Sequence, residues 1–406
     1  MSLKKNVAII HPDLGIGGAE QLIVNIALAL QMSGYEVTIF TPRHEKERSF
    51  KPTHDGTLNV QVKGSIFPSS IFGKCTALCS MIRMFLASLY VILFGGEYDF
   101  IIIDQVSAIL PIFYLSSSKV IFYCHFPDQL LCTQRQSSIK RLYRFFIDKV
   151  EEIGLWKPDL IYVNSNFTLS ITKSTFKSLA SINLHILYPC IDLNFISNAP
   201  YPQFFENSKY FFSLNRYERK KNINLAIEAY SSLKDKSVKL LIGGGYDPKM
   251  QENVEHYAEL CELCKKLELK YVEVDNWDKP IKNFDVYFVR NLSEIQREQA
   301  LQNALGVLYT PENEHFGIVP VESMARGTPV IAINSGGPME SVKNELSGFL
   351  LDKDPKKWGE KMMMLSEDNE KRTKVGAYAK EWALKEFSLS SMSSKLNEDF
   401  QKLLKP

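Results

Sequence analysis

The stretch "NVAIIHPDLGIGGAEQLIVNIALALQMSGYEVTIF", Asn6–Phe40, decides how the fold is read. "NVAIIHP" is a short apolar run with the length and branching of a buried strand. "GGAEQLIVNIALALQMSGY" spaces its apolar residues with helical periodicity and stops at Gly34. "EVTIFTP" is a strand again. Strand, glycine-bearing turn, helix and strand make a βαβ unit, which builds a parallel sheet with helices on its faces.

The same grammar repeats along the chain. "YDFIIIDQ", "KVIFYCHFPD" and "DLIYVNS" are further strands of a first half. The prolines of "ILYPCIDLNFISNAPYPQ" interrupt it, and a linker is expected near residues 190–205. A second half then restarts with "KYFFSLNR", the helical "NINLAIEAYSSLK", "VKLLIGGGY", the helical "QENVEHYAELCELCKKLEL", "ALGVLYTP" and "TPVIAIN". The expected architecture is α/β: two Rossmann-like, doubly wound parallel-sheet domains, residues 1–195 and 196–384, facing a cleft at their strand C-terminal edges.

Composition agrees. The 406 residues are too many for one ordinary core, and 45% hydrophobic with 23% charged residues is globular. A net charge of +2 does not announce a nucleic-acid partner. Seven scattered cysteines read as free thiols in a reducing compartment. Cys261 and Cys264 have zinc-like spacing but no second pair, and their helical surroundings make a buried helix face the expectation. Sequons at Asn166 and Asn291 matter only in a secretory lumen, and "MSLKKNVAII" opens as a strand, not as a signal peptide.

One segment raises membrane contact. "ALCSMIRMFLASLYVILF", Ala77–Phe94, is apolar but carries Arg83, after which too little remains for the roughly 20 residues of a spanning helix. A core helix and a helix in the membrane interface are both open. Nearby, Gln134–Lys149 sets Lys140, Arg141, Arg144 and Lys149 among aromatics, which suits either a solvated face or an anionic lipid surface.

Four places have the residues for chemistry. "PDLGIGGAEQ" brings Gly18 to a helix N-terminus, a ready anion site, although Gly15, Gly17 and Gly18 do not make the dinucleotide fingerprint; a tight turn is the plainer reading. "NRYERKKN", Asn215–Asn222, follows the first strand of the second half; Arg216 and Lys221 there suit a diphosphate, or form an ordinary charged loop. His125 closes the strand "KVIFYC", where an imidazole reaches a sugar hydroxyl or serves structure alone.

The fourth is "NEHFGIVPVESMARGTPVIAINSGGP", Asn313–Pro338. Pro320 suits a first helical turn, and Glu322 is expected within that turn, favoured by the helix dipole. Glu314 sits in the preceding loop, with the amides near Gly317 and Ile318 available to phosphate oxygens. Carboxylates repel phosphates but accept from sugar hydroxyls, so the pair suits the ribose and hexose of a nucleotide sugar.

Taken in order, "GGAE", "HFPD", "NRYERKKN", "ENEHFGIVPVE" and "NSGGP" resemble the retaining glycosyltransferases of the GT-B fold with their Glu-x7-Glu signature, along most of the chain. The resemblance implies a GDP-mannose donor held mainly by the second half. Arg216 and Lys221 match diphosphate binders, Glu322 the ribose-binding glutamate, and Glu314 the one near the donor hexose. Gly317 and Ile318 would supply amides, Gly18 would approach the donor phosphates, and His125 would contact the donor hexose. The implied acceptor is a mannosylated chitobiose on dolichyl diphosphate, extended by α1,3- and α1,6-linked mannose at the cytosolic face of the endoplasmic reticulum membrane. A complex with other early-pathway glycosyltransferases would fit that setting. The fold would send the C-terminal helix, about 385–406, back onto the first domain. Neither a cofactor nor an Asp-x-Asp-like metal site is assigned. A related transferase with another sugar nucleotide or acceptor stays open, as does a non-catalytic membrane-associated scaffold.

Overall fold

The computed structural model describes residues 4–71, 75–131, 138–177, 184–191, 199–205 and 208–405. Residues 192–198 of the expected linker lie outside these residues, as do 134–137 of the basic aromatic stretch. The chain forms two compact units. One comprises the residues up to Cys190 with those from Leu389 onward; the other is Ile191–Ser388.

The first unit holds β1 (Asn6–Ile10), β2 (Glu36–Thr41), β3 (Asn59–Val62), β4 (Phe100–Asp104), β5 (Lys119–Cys124), β6 (Leu160–Val163) and β7 (Leu184–Ile186). All pair in parallel, in the order β3-β2-β1-β4-β5-β6-β7. The second unit holds β8 (Tyr210–Leu214), β9 (Lys239–Gly244), β10 (Tyr271–Glu273), β11 (Val286–Arg290), β12 (Gly306–Tyr309), β13 (Val330–Ile333) and β14 (Gly348–Leu351). These are parallel too, ordered β10-β11-β9-β8-β12-β13-β14.

The apolar strand runs follow from this topology. A parallel sheet is covered on both faces, so successive side chains alternate between two cores and neither set is polar. Val7 and Ile9 join Leu22, Ile26 and Leu30 of the helix Gly18–Met32, whereas Ala8 and Ile10 join Met84, Ala87 and Val91 of the helix Thr76–Phe94. In the second sheet Leu240 and Ile242 face one core and Leu241 the other.

The helix Leu389–Leu403 completes the first unit. Phe400 stacks on Phe100 at 4.2 Å, Ser393 Oγ donates to the Ala29 carbonyl, and Tyr162 Oη donates to the buried Asp399 carboxylate at 2.9 Å. The chain changes unit at 190/191 and again at 388/389, and Ile191 N–H donates to the Phe387 carbonyl at 2.9 Å.

Thr76–Phe94 packs one face into the core and leaves the other uncovered. Cys79, Met84, Ala87, Ser88 and Val91 are buried, and Arg83 donates to the Pro42 carbonyl at 2.7 Å. Phe85, Leu89, Ile92, Leu93 and Phe94 are exposed. The helix is long and apolar enough to cross a membrane by length and composition, but one side of it belongs to the core. In the helix Ser138–Gly154, Leu142, Phe145, Phe146 and Ile153 are exposed beside Lys140, Arg141 and Lys149. Arg144 departs from the expected basic face: it is buried and pairs with Asp128 and Asp148, each at 2.8 Å.

Candidate functional site

In each sheet the strand order reverses beside the first strand, between β1 and β4 and between β8 and β12. Ligands of open α/β sheets bind at such switch points, beyond the strand C-termini. The candidate residues gather there, unit by unit.

In the second unit, the loop after β8 is anchored by Tyr217. Its side chain is buried, its hydroxyl lies 3.3 Å from the Ile242 and Val289 carbonyls, and its N–H donates to the Gly245 carbonyl. A 3-10 turn, Arg219–Lys221, follows, and Thr310 just beyond β12 donates its hydroxyl to the Lys221 carbonyl at 2.7 Å. Lys221 is therefore tied to the β12 end of the switch point. Its ammonium forms an ion pair with the Glu314 carboxylate, the two side chains being 15% and 26% exposed. Arg216 stands outside this pair: it is 68% exposed and meets Glu218 at 3.4 Å. Arg219 is exposed and bridges to Glu255 and Glu259.

The paired glycines of "NSGGP" shape the loop bearing Glu314. Gly337 N–H donates to the Glu314 carbonyl at 2.8 Å. A Cβ on Gly336 would lie 2.5 Å from that carbonyl oxygen, and one on Gly337 would overlap the Phe316 backbone. Gly317 caps the helix Ile318–Ala325 at φ +77°, and a Cβ there would lie 2.7 Å from Tyr309 Oη. Beyond it the Ile318 amide is among the helix's first donors, which have no carbonyl one turn back. Pro320, third in the helix, lacks an N–H that would have no partner there.

Glu322 corrects the expectation. It is the fifth residue of this helix, beyond the first turn, so the dipole does little for it. Arg297, from the helix Glu294–Asn303, neutralises it instead through an ion pair to Oε1. Its Oε2 is buried without a hydrogen-bond partner. Arg326 donates to the Glu322 carbonyl at 2.6 Å and also pairs with Glu298. Tyr309 senses both glutamates: burial first, then the charges of Glu314 and Glu322, hold its hydroxyl well above the ordinary tyrosine range.

In the first unit, Gly18 begins the helix Gly18–Met32, and a Cβ there would meet nothing within 4 Å. Its smallness is not required by this chain's own packing. His125, one residue past β5, is 22% exposed and lies 2.8 Å from Asp104 Oδ1, off the direction of its ring N–H. Asp104, the last residue of β4, is fully buried. His11, one residue past β1 and also fully buried, hydrogen-bonds Asp104 Oδ2 through Nδ1 at 2.7 Å. Burial pushes the Asp104 carboxyl up, but the charge of His125 and the hydrogen bond to His11 outweigh it and hold the pKa below the usual range.

The structure thus joins Lys221 to Glu314, and gives Arg216, Glu322 and His125 other partners. Arg297, Asp104 and His11 were not among the residues expected from sequence. For Asp104 and His11 a signal existed, since each ends an apolar parallel strand with a titratable group. Arg297 lies on a polar helix with no such mark. Cys264 is buried on its helix and its thiol is pushed up to about 12 by burial, in keeping with a helix face. Among the described residues, no cluster of three or more His, Cys, Asp and Glu is placed to hold a metal ion.

Residues 16–195 match the model of glycosyltransferase family 4, and 198–382 that of glycosyl transferases group 1. The alpha-1,3/1,6-mannosyltransferase ALG2 of Dictyostelium discoideum is 41% identical, covering 98% of this chain and 98% of its own; that of Homo sapiens is 39% identical, covering 99% and 97%. Among solved structures, sucrose-phosphate synthase from Thermosynechococcus elongatus superposes with a TM-score of 0.74 at 18% identity, covering 98% of this chain and 99% of that one. That likeness shows the fold, the expected GT-B arrangement of two parallel-sheet domains. The near-full-length identity shows the family: the chain belongs to the alpha-1,3/1,6-mannosyltransferases of the ALG2 type.

Proposed function

We propose that the protein is a retaining mannosyltransferase that moves mannose from GDP-mannose to the dolichyl-diphosphate-linked oligosaccharide Man1GlcNAc2, forming α1,3 and α1,6 links. One observation supports this reading most: Lys221 and Glu314 meet at the second sheet's switch point, beside the open helix start at Gly317 and Ile318. A cation, backbone donors and a carboxylate within one loop system suit a sugar diphosphate, whose phosphates want the first two and whose hydroxyls want the third.

Each residue then has a part. Arg216, exposed and held only at 3.4 Å, is free to turn to the diphosphate with Lys221. Glu322 accepts from ribose hydroxyls through the oxygen that Arg297 leaves unpaired. Glu314 accepts from the donor hexose, as does His125 from the first unit; Gly18 leaves room for a donor phosphate. In transfer, the C1–O bond to the diphosphate breaks and the acceptor hydroxyl oxygen bonds to C1 on the same face. The hydroxyl proton passes to the departing diphosphate. Arg216 and Lys221 stabilise the charge that develops there, so no protein nucleophile is needed. Two carboxylates flanking one bond, the hydrolase arrangement, do not fit, because Glu314 and Glu322 are committed to different cations.

The exposed apolar faces of Thr76–Phe94 and Ser138–Gly154 suit a membrane surface, where a lipid-linked acceptor resides; the Leu78 N–H donates to Tyr143 Oη at 3.2 Å, so the helices touch. The cytosolic face of the endoplasmic reticulum, among other early-pathway transferases, is the proposed setting. The test incubates purified protein with radiolabelled GDP-mannose and the lipid-linked acceptor in detergent or membranes. The acceptor should grow by one and then two mannoses, with linkages read by linkage-specific mannosidases. No product beside an active control enzyme, or equal use of UDP- or ADP-sugars, would reject the reading.

A further inference from the structure

His11, Asp104 and His125 sit at the C-terminal ends of three adjacent strands, β1, β4 and β5. Their register explains the meeting: Ile10 pairs with Ile103, and Asp104 with Tyr123, so the three side chains leave the same sheet edge. A fully buried carboxylate is costly unless it is paired and hydrogen-bonded. Here Oδ2 is hydrogen-bonded to His11 Nδ1 at 2.7 Å, while Oδ1 lies 2.8 Å from His125 Nε2 as a charge partner, off the direction of the ring N–H. Beside them the buried Tyr123 ring lies 4.9 Å from the His125 ring, its hydroxyl donating to the Leu187 carbonyl, and the Cys124 thiol is held neutral by burial. Asn164 Nδ2 donates to the His125 carbonyl at 3.0 Å, fixing the backbone beneath the ring.

We propose that Asp104, clamped from behind by His11, is a positioning residue for His125: it holds Nε2 inward and leaves Nδ1 as the nitrogen offered to a sugar hydroxyl. The inference rests on the reading of His125 as a donor-hexose contact. A carboxylate 2.8 Å from Nε2 favours the neutral tautomer with its proton on that nitrogen, because the negative charge repels the lone pair the other tautomer would place there, so Nδ1 is a hydrogen-bond acceptor. The ring then takes a hydroxyl proton bond without turning. His11 acts only through Asp104: fully buried, it fixes the carboxylate's rotation and has no surface for substrate.

The chain has seven histidines, so nitrogen-15 NMR can resolve the rings, with His125→Gln removing and assigning one of them. At about pH 8.5, above the ordinary imidazole range, the donor-free wild type should show His125 with its proton on Nε2. Asp104→Asn should abolish that preference and lower kcat for mannosyl transfer about 10- to 100-fold, with KM for the donor changing about twofold or less. His11→Asn keeps a donor where Nδ1 stood and should retain both tautomer and rate; His11→Leu should lose both. A wild-type His125 protonated on Nδ1 overturns the proposal, even if Asp104→Asn fails to fold. So does an Asp104→Asn enzyme with unchanged tautomer and kcat. The NMR readout needs no substrate: an inactive wild type with the expected tautomer would reject the transferase reading and leave the placement of His125 standing.

Discussion

Lys221 and Glu314, 93 residues apart in sequence, form an ion pair across the switch point of the second sheet. Each is the other's partner in the absence of a ligand, so a sugar diphosphate that engages both must share or open the pair. Lys221→Ala leaves a mostly buried carboxylate unpaired, and Glu314→Ala leaves a mostly buried ammonium. Each change is expected to lower kcat/KM by about 10²- to 10³-fold, since an aligned charge at a developing anion carries that much. Stability should fall by only about 1 kcal/mol, because the pair keeps some access to water. The double variant should be no slower than the worse single one. Steady-state rates and thermal melts of the three proteins check this; strictly additive rate losses would show that the pair does not act as a unit.

Arg297→Gln should act on the donor rather than on the chemistry. Removing the guanidinium leaves Glu322, whose Oε2 is already buried without a partner, as an uncompensated charge beside Tyr309. Donor affinity should weaken by about 10-fold or more with kcat nearly unchanged, the pattern of a lost ground-state contact. Calorimetric titration of GDP measures it directly. Unaltered GDP binding by Arg297→Gln would remove Glu322 from the ribose.

Gly317→Ala tests the turn before the helix. The left-handed φ of +77° disfavours any side chain, and the Cβ would stand 2.7 Å from Tyr309 Oη, a buried hydroxyl with little room to retreat. A loss of about 1–3 kcal/mol is expected, together with displacement of the Ile318 amide. Gly18→Ala is the contrast: a Cβ there meets nothing, so its melting temperature should hold while donor affinity drops if a phosphate approaches that backbone. Melting curves and GDP-mannose titrations of both variants separate strain from lost room.

How far these relationships were legible beforehand depends on their range. The strands were visible because parallel strands buried on both faces must be apolar throughout, as in "NVAIIH", "FIIID" and "KVIFYC". The turns after β1, β8 and β12 were visible because only certain residues fit them. Pairings across the sheet were not: nothing local in "NRYERKKN" says that Lys221 rather than Arg216 meets Glu314. That choice follows from the Thr310 bond to the Lys221 carbonyl, made between strands β8 and β12 that become neighbours only on folding. Thr76–Phe94 was ambiguous for another reason. Its composition is apolar all round, so periodicity could not say which face the sheet would cover.

Replacing Phe85, Leu89 and Leu93 with serine tests the uncovered face of that helix. All three are exposed, so unfolding stability in water should change by less than about 0.5 kcal/mol per site. Sedimentation with anionic phospholipid vesicles should drop about tenfold or more relative to wild type. Lys140→Glu with Arg141→Glu should weaken binding chiefly at low salt, as screened attraction to lipid requires. Undiminished vesicle binding by the triple variant would assign membrane contact elsewhere in the chain.

Glu151 gives the protein a calculable acid response. Its carboxylate is buried in the helix Ser138–Gly154 and accepts from the Asp128 and Gln129 amides at 2.7 and 3.1 Å. Burial nevertheless raises its pKa from 4.5 to about 7, and the neighbouring charges of Asp128 and Asp148 push the same way. A carboxyl that is more basic when folded binds more protons in the native state. Its contribution to stability is therefore fully present below pH 4.5 and is lost as the pH rises through about 7. At pH 8 the cost of holding it ionised is of order 3 kcal/mol by the shift. Glu151→Gln, which keeps one amide acceptor and no charge, should melt higher than wild type at pH 8, and the two curves should converge toward pH 5. If the amide is instead the less stable protein at pH 8, the two backbone bonds to the charged form outweigh its desolvation, and Glu151 is an N-terminal anchor for the turn at Asp128 rather than a group held against its preference.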